Sequence, residues 1–162
     1  MIKNYFIILL FLLLTTKSFS AGSDDNSSKV KSDYDKAVVL IKSAKKLEIK
    51  GKTEKANKKY EKAKKLLIKS NKKKPNQADT LNYLGFTTRK LGDFENGEKY
   101  YLLGLDIEPN HIGINEYLGE LYVATNRLNL AKERLQILET CNCKEYNELK
   151  AVIDGTKKSK YY

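Results

Sequence analysis

The tripeptide Tyr-Leu-Gly occurs at Tyr83–Gly85 and again at Tyr117–Gly119, so its two copies lie 34 residues apart. Each copy is followed by two segments whose apolar residues recur at the three- and four-residue spacing of an amphipathic helix. No segment shows the strict alternation of apolar and polar residues that a half-buried strand requires. A unit of this length cannot bury its apolar face alone and must stack on its neighbours. The spacing therefore predicts an all-α fold built from antiparallel helix pairs.

Cap and stop residues divide the chain into these helices. The stretch 22–32 is polar, and the helical periodicity begins at Asp33, which is placed to cap the first helix. Thr53 is placed to cap the second helix, which Pro75 ends, and Asp93 to cap the fourth. The predicted domain covers residues 33–158, in units of about 37–77, 78–111 and 112–143 with a capping helix at 144–157.

Residues 34–143 resemble the tetratricopeptide repeat family, most specifically in the stretch "YLGFTTRKLGDFENGEKYY". The resemblance implies a right-handed α-solenoid of about three helix pairs, closed by a C-terminal capping helix. Three positions depart from the family's pattern, since Thr88 replaces a Tyr, Gly104 an Ala and Cys143 a Pro. The pattern is otherwise matched in the middle unit by Leu81, Leu84, Gly85, Gly97, Tyr101 and Pro109.

The same resemblance implies where a ligand binds. In this family the first helix of each pair lines a concave groove that usually holds a protein or peptide. The repeat register assigns six positions to the groove, with Phe86 as an apolar anchor and Arg89 as a reader of charge. An alternative is that Phe86 packs against the extended first repeat or against the leader instead. The groove residues are Lys45, Asn82, Phe86, Arg89, Glu116 and Glu120.

The first 20 residues have the order of a secretory signal peptide, with Lys3 followed by an apolar run from Tyr5 to Leu14 and small residues near Ala21. We expect a mature chain that starts near Ala21, with a disordered leader over 21–32. The alternative is an uncleaved N-terminal anchor. The expected location is outside the cytoplasm, in a bacterial periplasm, with membrane contact only before cleavage.

Positive charge is concentrated in the first repeat. Residues 29–74 hold 18 Lys against 5 Asp or Glu, whereas residues 75–162 hold 11 Lys or Arg against 13 Asp or Glu. This asymmetry indicates a possible acidic partner for the first repeat. The alternative is that Lys simply fills solvated helix faces. Nucleic acid is not an expected partner of an exported chain.

The residues offer little for catalysis, because His111 is the only histidine and no nucleophile–base arrangement can be assembled around it. We therefore expect a non-enzymatic scaffold or adaptor without a cofactor or metal. The pair Cys141-x-Cys143 leaves an alternative open, a thiol- or metal-handling accessory protein. The pair can form a local disulfide, remain as thiols or bind a soft metal such as Cu(I).

Overall fold

The computed structural model describes residues 31–157, and within them every regular element is helical. The predicted all-α fold is confirmed, with seven α-helices in this part of the chain. The signal peptide and nearly all of the leader predicted at 21–32 lie outside the described residues. None of the seven helices is long and apolar enough to cross a membrane. The helices are α1 Asp33–Ile49, α2 Thr53–Lys73, α3 Ala78–Lys90, α4 Phe94–Ile107, α5 Ile112–Ala124, α6 Leu128–Ile137 and α7 Lys144–Ile153.

Consecutive helices pack as pairs, α1 with α2, α3 with α4 and α5 with α6, and α7 packs mainly on α5. Close approach depends on glycine at two helix crossings. A Cβ atom added at Gly85 would lie 2.6 Å from the ring of Tyr101, and one added at Gly119 would lie 2.5 Å from Leu149. Tyr101 and Leu149 are fully buried. The repeated glycine therefore has one purpose in both units, which is to admit a large side chain from the neighbouring helix.

The helix caps differ in part from the prediction. Ser32, and not Asp33, caps α1, because its side chain accepts a hydrogen bond from the Asp35 amide while the Asp35 carboxylate accepts one from the Ser32 amide. Thr53 is the first residue of α2 and makes no capping bond. Asp93 caps α4 as predicted, accepting from the Asn96 amide at 3.1 Å.

His111 caps α5. Its Nδ1 accepts a hydrogen bond from the Ile114 amide at 3.1 Å, and its Nε2 lies 3.2 Å from a carboxylate oxygen of Asp79 in α3. The only histidine of the chain thus fixes the start of the third pair, and its ring is largely buried. This structural use of the ring accounts for its place in the turn.

The last pair ends in a short 3₁₀ turn, Leu138–Thr140, before the chain reverses into α7. Cys141 and Cys143 follow this turn and are joined by a disulfide, with their Cα atoms 5.1 Å apart. The structure thus has the local disulfide among the three states considered from the sequence. Helix α7 then ends at Ile153, four residues before the predicted end of the capping helix at 157.

Candidate functional site

The first helices α1, α3 and α5 converge on the ring of Phe86. That ring is fully buried, with its centroid 5.8 Å from the ring of Tyr60 and 5.0 Å from the ring of Tyr117. The edge-on and tilted geometries are those that aromatic pairs favour. The structure corrects the expected role of Phe86, because a side chain enclosed on all sides cannot serve as an exposed anchor. It packs against the first repeat, which was the alternative.

Lys45 from α1 covers this aromatic cluster. Its Nζ atom lies 4.4 Å from the ring centroid of Phe86 and 5.1 Å from that of Tyr117, and it donates a hydrogen bond to the Tyr117 hydroxyl at 3.0 Å. An ammonium group over aromatic faces is stabilised by their quadrupoles. Burial is the main reason that the pKa of Lys45 is lowered, although nearby carboxylates oppose the effect. Lys45 therefore links the first repeat to the third.

Arg89 and Glu120 form a buried ion pair between α3 and α5. The Nη2 atom of Arg89 lies 3.1 Å from Oε2 of Glu120, and the two side chains are 1% and 5% exposed. Arg89 also donates through Nη1 to the backbone carbonyl of Tyr117 at 3.1 Å. Its guanidinium group is buried and makes these contacts inside the fold. The expected role of Arg89 as a reader of ligand charge is therefore wrong. Buried pairs of this kind fix relative positions more than they add stability.

Glu48, near the C-terminal end of α1, makes a second set of ties between helices. It pairs with Nζ of Lys90 in α3 at 2.6 Å and accepts a hydrogen bond from the Tyr60 hydroxyl of α2 at 2.8 Å. Burial lowers the pKa of Lys90, and the hydrogen bond and charge of Glu48 act against that shift. The first three helices are thereby joined at Glu48.

Asn82 of α3 lies against the start of α5. Its Nδ2 atom would be 2.8 Å from a Cβ atom added at Gly113, so the absence of a side chain at that glycine makes room for it. The residue is 5% exposed, and its Oδ1 atom has no hydrogen-bond partner within residues 31–157. Asn82 is therefore packed against the third pair, one helical turn before Phe86 in α3.

A cleft of about 170 Å³ opens where α1, α5 and α7 meet. Most of its charged side chains already have partners: Glu120 pairs with Arg89, and Glu148 with Lys157. The wall supplied by α7 was not foreseen, although the spacing of its carboxylates places them on one helix face. The cleft is lined by Lys45, Glu116, Tyr117, Glu120, Lys144, Glu145, Glu148 and Lys157.

Glu116 is the exception in this cleft. The half-buried carboxyl group makes no hydrogen bond or ion pair with any residue in the described part of the chain. Burial, with the charges of Glu120 and Glu145 next, raises its pKa to about 8, whereas Lys45 and Lys144 lower it by less. The local environment therefore disfavours ionisation of the Glu116 carboxyl group, and a nearby cation would stabilise the ionised form.

No model of a known protein family matches the chain, and no curated protein matches it. Among solved structures it is similar to the first TPR domain of Spaghetti (RPAP3), which is bound there to the HSP90 peptide SRMEEVD. The match covers 78% of this chain and 98% of that one, at 22% identity and a TM-score of 0.48. So distant a likeness says nothing about the ligand of this chain. Its own geometry defines a class: an all-helical stack of antiparallel pairs with a charged cleft beside its capping helix.

Proposed function

We propose that the chain is a non-enzymatic scaffold that binds a peptide or protein segment on its concave side, and that the cleft at Glu116 receives a cationic side chain of that segment. The single observation that carries the proposal is the half-buried carboxyl of Glu116, which has no partner in the described structure. The sequence resemblance to a peptide-binding repeat family supports the same class of function. Phe86 supports the site from beneath, whereas its neighbours Lys45 and Tyr117 also line the cleft.

The charge balance around Glu116 determines the sign of the ligand. Burial is the main cause of its raised pKa, and Glu120 and Glu145 add to the shift by more than Lys45 and Lys144 oppose it. A lysine or arginine side chain that enters the cleft would stabilise the ionised carboxylate and displace its proton. The affinity for such a ligand should therefore rise between about pH 6 and about pH 9, with release of up to one proton per peptide bound.

A panel of capped peptides that differ only in a central Lys, Arg, Gln or Glu tests this function. We expect the Lys and Arg peptides to bind about ten-fold tighter than the Gln peptide, as about 1.4 kcal/mol of ion pairing would give. Glu116→Gln should abolish this preference. Glu133→Gln, at an exposed carboxylate of α6, is the matched control and should preserve it. Preference for the Glu peptide, or an unchanged preference in Glu116→Gln, would refute the proposal.

We also propose that the scaffold acts outside the cytoplasm, in a periplasm, because the apolar run and small residues at the N-terminus have the form of a signal peptide. N-terminal sequencing of the protein from fractionated cells is the test. A chain that begins near Ala21 would support export with cleavage, and an intact Met1 would contradict it.

The alternative function, in which the cysteine pair handles thiols or a soft metal, is not favoured. Both sulfur atoms are used in the disulfide, and no group of three or more His, Cys, Asp or Glu side chains within residues 31–157 has the geometry to hold a metal ion. The disulfide instead joins the residues on either side of the turn into α7.

A further inference from the structure

The outward face of α2 carries a straight row of lysines, the lysine stripe, which the cleft does not involve. Its members alternate at intervals of three and four residues, which places them on one side of the helix. The opposite side is the buried one, formed by Ala56, Tyr60, Ala63 and Leu67. All six side chains of the stripe are exposed, and the row is about 26 Å long at 1.5 Å per residue. The stripe consists of Lys55, Lys58, Lys62, Lys65, Lys69 and Lys72.

Almost none of this charge is neutralised inside the protein. Within the described residues, Lys69 is the only member of the stripe with a carboxylate within 4 Å, and that carboxylate, Asp33, lies 3.7 Å away. Asp33 is closer to Lys73, at 2.7 Å. The only acidic residues of α2 are Glu54 and Glu61. Apart from the Lys69–Asp33 pair and the two glutamates of α2, nothing offsets the mutual repulsion of the six ammonium groups, a cost that an external anion would lower.

The composition of the stripe selects the kind of anion. Lysine is depleted at the cores of protein–protein interfaces, where apolar and aromatic anchors supply the energy, and Ile68 is the one large apolar side chain of α2 that is exposed beside the stripe. It has no arginine to read a base edge and no aromatic ring on which a base could stack. A straight row of flexible point charges matches a flat surface of mobile anionic headgroups. We propose that the lysine stripe of α2 docks the protein on an anionic lipid surface.

The docked orientation leaves the concave side free, because the stripe lies on the side of α2 that faces away from the helices it packs against. Attraction of this kind acts over about one Debye length, roughly 10 Å at 0.1 M salt. The interaction should therefore weaken strongly with salt and should not require insertion of side chains into the lipid.

Co-sedimentation of the full chain with lipid vesicles tests the proposal. The measured quantity is the ratio of the affinity for vesicles that contain phosphatidylglycerol to the affinity for vesicles of phosphatidylcholine alone. Any contribution of the apolar N-terminal run cancels in this ratio. We expect binding to the anionic vesicles that salt reverses. The triple variant Lys58→Gln/Lys62→Gln/Lys65→Gln should lower the ratio by about a hundred-fold, since each lysine near such a surface contributes about five-fold.

A charge-matched control separates the stripe from the overall charge. Lys42→Gln/Lys46→Gln/Lys50→Gln removes the same charge from exposed positions of α1 and its C-cap and should change the ratio far less. Equal losses in the two triple variants would overturn the proposal, as would a lack of preference for anionic vesicles. Binding to polyglutamate or to a short DNA duplex that is as tight as binding to the vesicles, at equal anion concentration and salt, would also overturn it, because the partner would then be a soluble polyanion.

Discussion

Replacing Glu116 with Gln should make the stability of the protein less dependent on pH. The pKa of Glu116 is raised from 4.5 to about 8 in the folded chain. Between these two values the folded chain keeps a proton that the unfolded chain loses, so the free energy of unfolding falls as pH rises. Glutamine is neutral at every pH and nearly the same size, so the variant lacks this contribution.

The size of the effect follows from the shift. At 1.36 kcal/mol per pKa unit the full shift corresponds to about 5 kcal/mol as an upper bound. The carboxyl is only half-buried, and solvent screening reduces that figure, so we expect about 1–2 kcal/mol. Wild type and Glu116→Gln should be similarly stable near about pH 5, and the variant should be more stable by that amount near about pH 9.

Urea unfolding followed by circular dichroism, repeated across this pH range, measures the difference. Other charged groups around Glu116 are present in both proteins, so their contributions largely cancel in the stability difference. These groups are Lys45 from α1, Glu120 from α5, and Lys144 and Glu145 from α7. Glu133→Gln on α6 is the control and should show no such trend. A stability difference between wild type and Glu116→Gln that stays constant from about pH 5 to about pH 9 would refute the reasoning.

Three further substitutions test the interior. Phe86→Ala should cost about 3–5 kcal/mol in a denaturant melt, because it empties a closed aromatic cluster; a stable variant with weakened peptide binding would show instead that Phe86 is a contact residue. Arg89→Leu should cost about 3–5 kcal/mol because it removes the buried ion pair with Glu120, and adding Glu120→Leu should recover most of that loss; equal stability of the single and double variants would contradict this pairing. Gly85→Ala should lower the melting temperature even though Ala favours helices by about 1 kcal/mol, since the new Cβ meets the Tyr101 ring; an unchanged or raised melting temperature would show that the ring can move aside.

The periodicity of the sequence predicted the helices well, because apolar spacing and breakers such as Pro75 act locally. The caps were harder to predict. Ser32 and Asp33 are both good capping residues, and only the reciprocal bond with Asp35 decides between them. Thr53 was assigned by residue type alone, and its side chain makes no capping bond.

At the candidate site, the contacts that the sequence did not predict are those between different helix pairs. Repeat register assigned Lys45, Phe86, Arg89 and Glu120 to one groove, and the structure brings these four residues together in the interior. It could not predict how closely the first helices approach, and that distance decides whether Phe86 lines a groove or fills it. Tyr117 illustrates the reason: it contacts Phe86 and Lys45 from the third pair, through a tertiary contact that no local pattern encodes.

The position of α7 has a consequence for how the proposed ligand would act on the protein. This helix covers Gly119 through Leu149 and also supplies Glu145 and Glu148 to the wall of the cleft. A ligand that contacts this wall binds only when α7 is docked, so by mass action its presence must disfavour local opening of the C-terminal end. Amide protons of α7 should then exchange more slowly as the cleft fills. Amide exchange at this one helix would thus report occupancy of the cleft even for a partner whose identity is still unknown.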